Sequence, residues 1–173
     1  MSLRIKILIT TLLSIAAVFV ISCNNPFAPG LEKIEQEGAF LGDQKTIEGV
    51  FKNFRYAYTF RDTVVYGKLL HDDFTFIYRN YDKGVDQTWG RDEDMRATSR
   101  MFNGTQNLDL IWNDIVIDVG DSTLRDVSRS FILTITFSAS DVVNIHGRAN
   151  FRLKRQNTDE IWKILQWRDE SNY

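Results

Sequence analysis

The sequence IEGVFKNFRYAY, at residues 47–58, decides the fold, because its apolar residues recur at the spacing of one helix face. The residues on that face are Ile47, Val50, Phe51, Phe54 and Tyr58. Five large apolar groups along one stripe predict a helix that buries this face in a core. Asp43 is the predicted N-cap of this helix.

Two more helices and a strand are predicted downstream. Asp62 has the residue type of an N-cap and opens a short helix. Residues Phe74–Tyr78 alternate as in a strand, and the polar stretch Asn80–Gln87, which contains a glycine, indicates a loop. A third helix is predicted from Asp92 to Phe102, because Asn103-Gly104 is a typical helix stop.

The remainder of the chain is rich in strands. Phe131–Phe137 shows regular alternation of apolar and polar residues. The last strand has apolar groups on both faces: Trp162 and Ile164 on one, Leu165 and Trp167 on the other. If this strand is regular, Leu165 and Trp167 lie on a covered outer face and predict a sheet-to-sheet homodimer. A bulge at Leu165 would instead place both groups in the core.

Two stretches resemble a known family. FKNFRYAY (residues 51–58), followed by Asp62 and LLHDDF (69–74), is similar to a helix–helix–strand opening, and DEIWKI (159–164) is similar to a last strand. With three helices before a bent antiparallel sheet, this order resembles the nuclear transport factor two-like superfamily, including its SnoaL-like members. The resemblance covers Asp43–Tyr173. It implies a cone-shaped, cystatin-like α+β fold with a hollow between the helices and a strongly curved antiparallel sheet.

The same resemblance implies two classes of function, because the superfamily contains both enzymes and binding domains. Tyr58, Trp89 and Trp162 are candidates for lining the hollow, with simple core packing as the alternative for Tyr58 and Trp89. No polar residue is evident within an apolar strand face. This favours a domain without catalysis that binds a small apolar ligand or a protein partner. The alternative is a SnoaL-like or ketosteroid-isomerase-like lyase, isomerase or hydrolase, which requires a buried Asp, Glu or His in the hollow.

The N-terminus has the pattern of an export signal. Met1–Lys6 carries two positive charges, and Ile7–Ile21 is a run of 15 apolar or small residues. The run ends in Val20-Ile21-Ser22-Cys23, which resembles the lipobox of bacterial lipoproteins and implies cleavage after Ser22 and acylation of Cys23. An uncleaved spanning helix is the alternative, but its apolar part of about 17 residues is at the lower limit for crossing a bilayer.

The predicted organisation is therefore a signal peptide at residues 1–22, a tether at 23–42 and one domain at 43–173. Acyl chains on Cys23 would hold the domain at a lipid bilayer. Asn24 stands where an aspartate is associated with retention in the inner membrane, which favours the outer membrane and a domain facing the periplasm.

Composition excludes several other classes. Cys23 is the only cysteine, so the predicted domain has neither a disulfide framework nor a cysteine-rich zinc site. The two histidines, His71 and His146, show no metal-ligand spacing, and no cofactor is indicated. Without Arg4 and Lys6 of the signal, 19 basic residues stand against 23 acidic ones. The basic residues are scattered, which argues against nucleic acid as a partner.

Overall fold

The computed structural model describes residues 40–171, which fold into three helices and six strands. The helices are α1 (Ile47–Phe60), α2 (Thr63–Leu69) and α3 (Arg91–Gly104). The strands are β1 (Leu70–Asn80), β2 (Val85–Gly90), β3 (Asn107–Gly120), β4 (Leu124–Ser138), β5 (Asp141–Lys154) and β6 (Lys163–Ser171).

The α+β fold predicted from the sequence is confirmed, with the helices packed on a single sheet. The strand order is β2–β1–β6–β5–β4–β3, and the sheet is open, with β2 and β3 at its edges. The sheet is mixed and not wholly antiparallel, because β1 and β6 run parallel while the other neighbouring strands are antiparallel. A parallel pair needs a long connection, and here β1 and β6 are separated by all the intervening elements.

Helix α1 buries the stripe that the sequence predicts. Val50, Phe51, Phe54 and Tyr58 are buried, and Ile47 packs against them at the edge of the core. The N-cap is Thr46, whose Oγ1 accepts a hydrogen bond from the N–H of Gly49 at 3.0 Å. The predicted cap, Asp43, instead accepts from the N–H of Lys45 in the preceding turn, at 2.9 Å.

Strand β2 lies partly in the stretch predicted as a loop, Asn80–Gln87. The chain turns at Gly84, which has a positive φ of 65°. Pairing with β1 then extends from Val85 to Gly90. Only Gln87 and Trp89 of β2 are half-buried, and its other residues are exposed, so a single large apolar residue on the inner face was too little to indicate a strand.

Strand β6 contains a bulge at Leu165. Ile164 and Gln166 pair with two adjacent residues of β5, so Leu165 is the extra residue between them. The bulge returns Trp167 to the core face, where only 9% of it is exposed, while Leu165 is half-buried. The predicted outer face formed by Leu165 and Trp167 is therefore wrong for Trp167, which is a core residue. A homodimer remains a prediction, without this support.

Two further register shifts lie in β3. Its register with β4 shifts between Trp112 and Ile115, and again between Ile115 and Ile117. Ile115 packs against the core, whereas 48% of Ile117 is exposed. The two bulges let a single long strand contribute to the core at one end and leave it at the other.

The predicted lipid attachment site, the predicted signal peptide and residues 23–39 of the predicted tether lie outside the described residues. The predictions for Cys23, for the bilayer and for the outer membrane therefore remain predictions. Within residues 40–171, no helix combines the length and the apolar character needed to cross a membrane.

Candidate ligand-binding cavity

A small cavity of about 80 Å³ lies between α1 and the sheet. Its apolar wall consists of side chains from α1, β3, β4 and β5: Phe54, Leu110, Trp112, Phe131, Leu133 and Ile145. Four polar residues complete the lining: Tyr58 from α1, and Trp167, Asp169 and Ser171 from β6. The cavity is thus apolar over most of its surface, with its polar groups supplied mainly by one strand.

The bulge at Leu165 determines which residues of β6 enter the cavity. After it, Trp167, Asp169 and Ser171 follow at alternate positions and share the core face. Asp169 is only 9% exposed, and its Oδ2 accepts a hydrogen bond of 2.6 Å from the hydroxyl of Ser171. A carboxyl group is therefore held within an otherwise apolar strand face.

Tyr58 brings a phenol to the same cavity. Burial raises the pKa of Tyr58 well above its ordinary value of 10.0, and the nearby carboxylates of Asp94 and Asp169 raise it further. The ring stacks on Phe54 with a centroid distance of 4.7 Å, which limits its movement. Tyr58 is consequently a neutral hydrogen-bond donor near neutral pH.

Trp167 contributes a second donor. Its indole Nε1 is buried and has no hydrogen-bond partner among the described residues. The ring is held edge-on by Phe54, Phe76 and Phe151, at centroid distances of 5.4, 4.9 and 5.6 Å. A buried indole N–H without a partner is uncommon and costs free energy, so an acceptor in the cavity would stabilise this arrangement.

A second buried carboxyl group, Asp94 on α3, lies outside the cavity lining and is 3% exposed. It accepts hydrogen bonds from the hydroxyl of Tyr66 at 2.7 Å and from Nε1 of Trp89 at 3.0 Å. Burial raises the pKa of Asp94, and the two hydrogen bonds partly oppose that effect. Because the ring of Tyr66 meets Tyr58 edge-on at 5.9 Å, Asp94 helps to position the aromatic layer behind the cavity.

The three residues predicted to line the hollow are separated in the structure. Tyr58 lies in the cavity wall. Trp89 is in β2, stacked on Phe76 at 4.6 Å, and is not a lining residue. Trp162 is 2% exposed and lies under the guanidinium of Arg155, which is 4.2 Å from the ring centroid. Trp162 precedes the start of β6, whereas the cavity is at the far end of that strand.

Asp169 is the residue that sequence reasoning missed. Regular alternation from Ile164 would place Asp169 on the outer face, and the expectation that no polar residue lies within an apolar strand face is therefore wrong. The signal that could have identified it is the pair Leu165 and Trp167: two large apolar groups on the apparently outer face are typical of a bulge.

The titratable groups that line the cavity are Tyr58 and Asp169. Neither histidine lines it, and His146 is exposed on β5. Within the described part of the chain, no group of three or more His, Cys, Asp or Glu side chains could hold a metal ion. The polar groups of the lining are thus the phenol of Tyr58, the indole N–H of Trp167, the carboxyl of Asp169 and the hydroxyl of Ser171.

Comparison with solved structures supports the fold. A putative scytalone dehydratase from Novosphingobium aromaticivorans superposes with a TM-score of 0.63 and 15% identity, covering 73% of this chain and 82% of that one. An NTF2-like protein from Cytophaga hutchinsonii gives 0.59 and 20%, covering 76% and 100%. A hexachlorocyclohexane dehydrochlorinase of type 2 gives 0.58 and 11%, covering 73% and 83%.

No family model matches the sequence, and no curated protein matches it significantly. At 11–20% identity, the three structural neighbours establish an NTF2-like fold and nothing narrower. Function has to be argued from the side chains of the cavity.

Proposed function

We propose that the domain binds a small, mainly apolar molecule carrying one polar group, in the cavity between α1 and the sheet. The observation that carries this proposal is the composition of the cavity wall. Most of the wall is aromatic or aliphatic, and Tyr58, Trp167 and Asp169 supply polar groups. Pockets of this composition bind ligands by burying apolar surface and orient them through a few polar contacts.

The size of the cavity limits the ligand. A water molecule needs roughly 10–15 Å³ of such space. A cavity of about 80 Å³ therefore admits several waters or a compact molecule of a few heavy atoms. A hydroxyl group on that molecule could form two hydrogen bonds, because it can accept one from the indole N–H of Trp167 and donate one to the carboxyl of Asp169.

Methyl NMR tests this proposal with cyclopentanol as the probe and cyclopentane as its counterpart without a hydroxyl. Saturable shifts of the methyl signals of Leu133 and Ile145 are expected, and cyclopentanol should bind more tightly. Leu133→Phe fills the cavity and should abolish the shifts. Ile132→Phe is the matched control, because Ile132 is the neighbouring position on the opposite face of β4. Equal shifts in both variants would contradict binding in this cavity.

We also propose that the protein is a lipid-anchored component of a bacterial envelope. The support comes from the sequence: an apolar signal, the lipobox-like Val20–Cys23 and the absence of any other cysteine. Acylation at Cys23 would keep the cavity close to a bilayer, because the predicted domain begins some twenty residues later. An anchored binding domain acts where its ligand partitions from the membrane.

A second function is favoured by one specific observation, the buried carboxyl group of Asp169 beside a neutral phenol. In a lyase-type reaction, the ionised carboxylate would remove a proton from carbon, the electron pair would form a double bond, and a leaving group would depart from the adjacent carbon. Tyr58 could donate a hydrogen bond to the departing oxygen. Two of the structural neighbours carry names of elimination enzymes, a putative dehydratase and a dehydrochlorinase.

Deuterium exchange separates the two functions. A small β-hydroxy ketone incubated with the protein in D₂O should gain deuterium at the carbon between its carbonyl and hydroxyl groups if Asp169 acts as a base. Asp169→Asn should then abolish the exchange while ligand binding persists. Binding without exchange in the wild type supports the noncatalytic function.

A further inference from the structure

A shallow, positively charged groove lies between α2, α3 and the start of β6, and it shares no lining residue with the cavity. Lys68, Arg91 and Lys163 line it together with Thr63, and no acidic residue is among the lining side chains. None of the three cationic groups takes part in an ion pair with another described residue. The groove therefore presents three cationic groups that form no ion pair within the described residues, together with a hydroxyl group.

Arg91 lines this groove, and a hydrogen bond to the backbone holds its guanidinium. Its Nη2 donates a hydrogen bond of 3.0 Å to the carbonyl of Gly67 in the last turn of α2. A side chain at Gly67 would be crowded, because a Cβ there would lie 3.1 Å from the terminal methyl of Met95 and 3.7 Å from the same Nη2. The Nε of Arg91 is buried without a partner in the described structure. Most of the five donors of this guanidinium are thus unused.

Lys163 connects the groove to a second cation. It is the direct partner of Lys154 in the antiparallel pair of β5 and β6, so the two ammonium groups project from the same face. Like charges directly opposite each other are destabilising unless an anion lies between them. Asp72 and Glu160 line the adjoining depression, but neither forms an ion pair with these lysines.

We propose that this groove binds a phosphate-type oxyanion, contacted by Lys68, Arg91 and Lys163. A guanidinium and two ammonium groups are the side chains that recognise phosphate, through charge-assisted hydrogen bonds. The anion can be free phosphate or the phosphodiester of a lipid headgroup, which share this chemistry. The site is separate from the cavity, so its existence does not depend on the ligand proposed there.

Amide NMR of the full chain in non-ionic detergent tests the site with inorganic phosphate. The titration is made at constant ionic strength, so that general screening does not change. Saturable shifts of the amide signals of Gly67, Lys68 and Lys163 are expected. Lys68→Gln with Lys163→Gln should weaken binding about tenfold or more, since two charge-assisted contacts are lost. The matched control, Lys52→Gln with Lys83→Gln, removes the same charge from exposed positions elsewhere and should leave binding unchanged.

A second titration with glycerophosphoglycerol, a soluble phosphodiester headgroup, distinguishes the two sources. Tighter binding of the diester assigns the site to a lipid headgroup, and tighter binding of inorganic phosphate assigns it to the free ion. The site is refuted if neither compound gives saturable shifts, or if the shifts are the same in the Lys68 and Lys163 double variant as in its control.

Discussion

Replacing Trp167 by alanine distinguishes a core residue from an interface residue. The structure buries this side chain to 9% exposure, in edge-on contact with Phe54, Phe76 and Phe151. Regular alternation along β6 would instead have placed it on the outer face, where its loss would weaken association and leave folding intact. The two arrangements therefore predict opposite outcomes for one substitution.

The expected loss follows from the environment of the ring. Replacing a buried tryptophan by alanine costs about 3–5 kcal/mol of unfolding free energy. The Nε1 of Trp167 is buried without a partner among the described residues. Removing this unsatisfied donor also removes its desolvation penalty, which adds about 1–3 kcal/mol to the stability of the variant. The difference between these two figures gives an expected net loss of about 2 kcal/mol for Trp167→Ala. Trp167→Phe keeps an aromatic ring and removes the donor, so its stability should lie within about 1 kcal/mol of the wild type.

Urea unfolding of residues 40–173, followed by circular dichroism, measures these differences. Leu165→Ala is the matched control, because the half-buried Leu165 is the extra residue of the bulge and should cost less than Trp167→Ala. The reasoning fails if Trp167→Ala has the stability of the wild type and converts a dimer into a monomer in light scattering. That outcome would restore the outer-face interpretation of β6.

Three further predictions concern other parts of the chain. Burial raises the pKa of Asp94 above its ordinary value of 3.8, so the folded state binds this proton more tightly than the unfolded state. The wild type should therefore lose stability relative to Asp94→Asn as the pH rises from 3.8 through the raised pKa. Urea titrations at several pH values measure this difference. Gly147→Ala should cost about 1–3 kcal/mol, because its Cβ would lie 2.7 Å from Cα of Ser171. Gly104→Ala, with nothing within 4 Å, is the control and should be neutral or stabilising. Cys23→Ser should abolish metabolic labelling by a fatty acid, and label that persists in the variant would contradict the lipobox.

The fold could be predicted because its main signals are local. The stripe on α1 and the alternation of Phe131–Phe137 depend on periodicity within one element. The structure shows the stripe on α1, and it shows the alternation in β4 up to Ile135, while Phe137 is 40% exposed. Strand β2 could not be predicted in this way. Trp89 is the one large apolar residue on its half-buried face, and the extended conformation of the strand follows from pairing with β1.

The cavity was less predictable because it depends on register. A single extra residue at Leu165 exchanges the two faces of β6, which brings Trp167 and Asp169 into the core. The alternation along β6 left a regular strand and a bulge at Leu165 as open alternatives, whereas the position of Tyr58 follows directly from the helical spacing of α1. The helical side of the cavity could thus be identified from the sequence, and the strand that supplies its carboxyl group could not.

A crystal structure of the domain soaked in cyclopentanol tests the central claim most directly. We predict one molecule in the cavity, its ring against Leu133 and its hydroxyl within hydrogen-bond distance of Nε1 of Trp167 or the carboxyl of Asp169. A cavity that contains only ordered water, or one closed by movement of its lining side chains, would contradict the claim that this hollow binds a small apolar ligand.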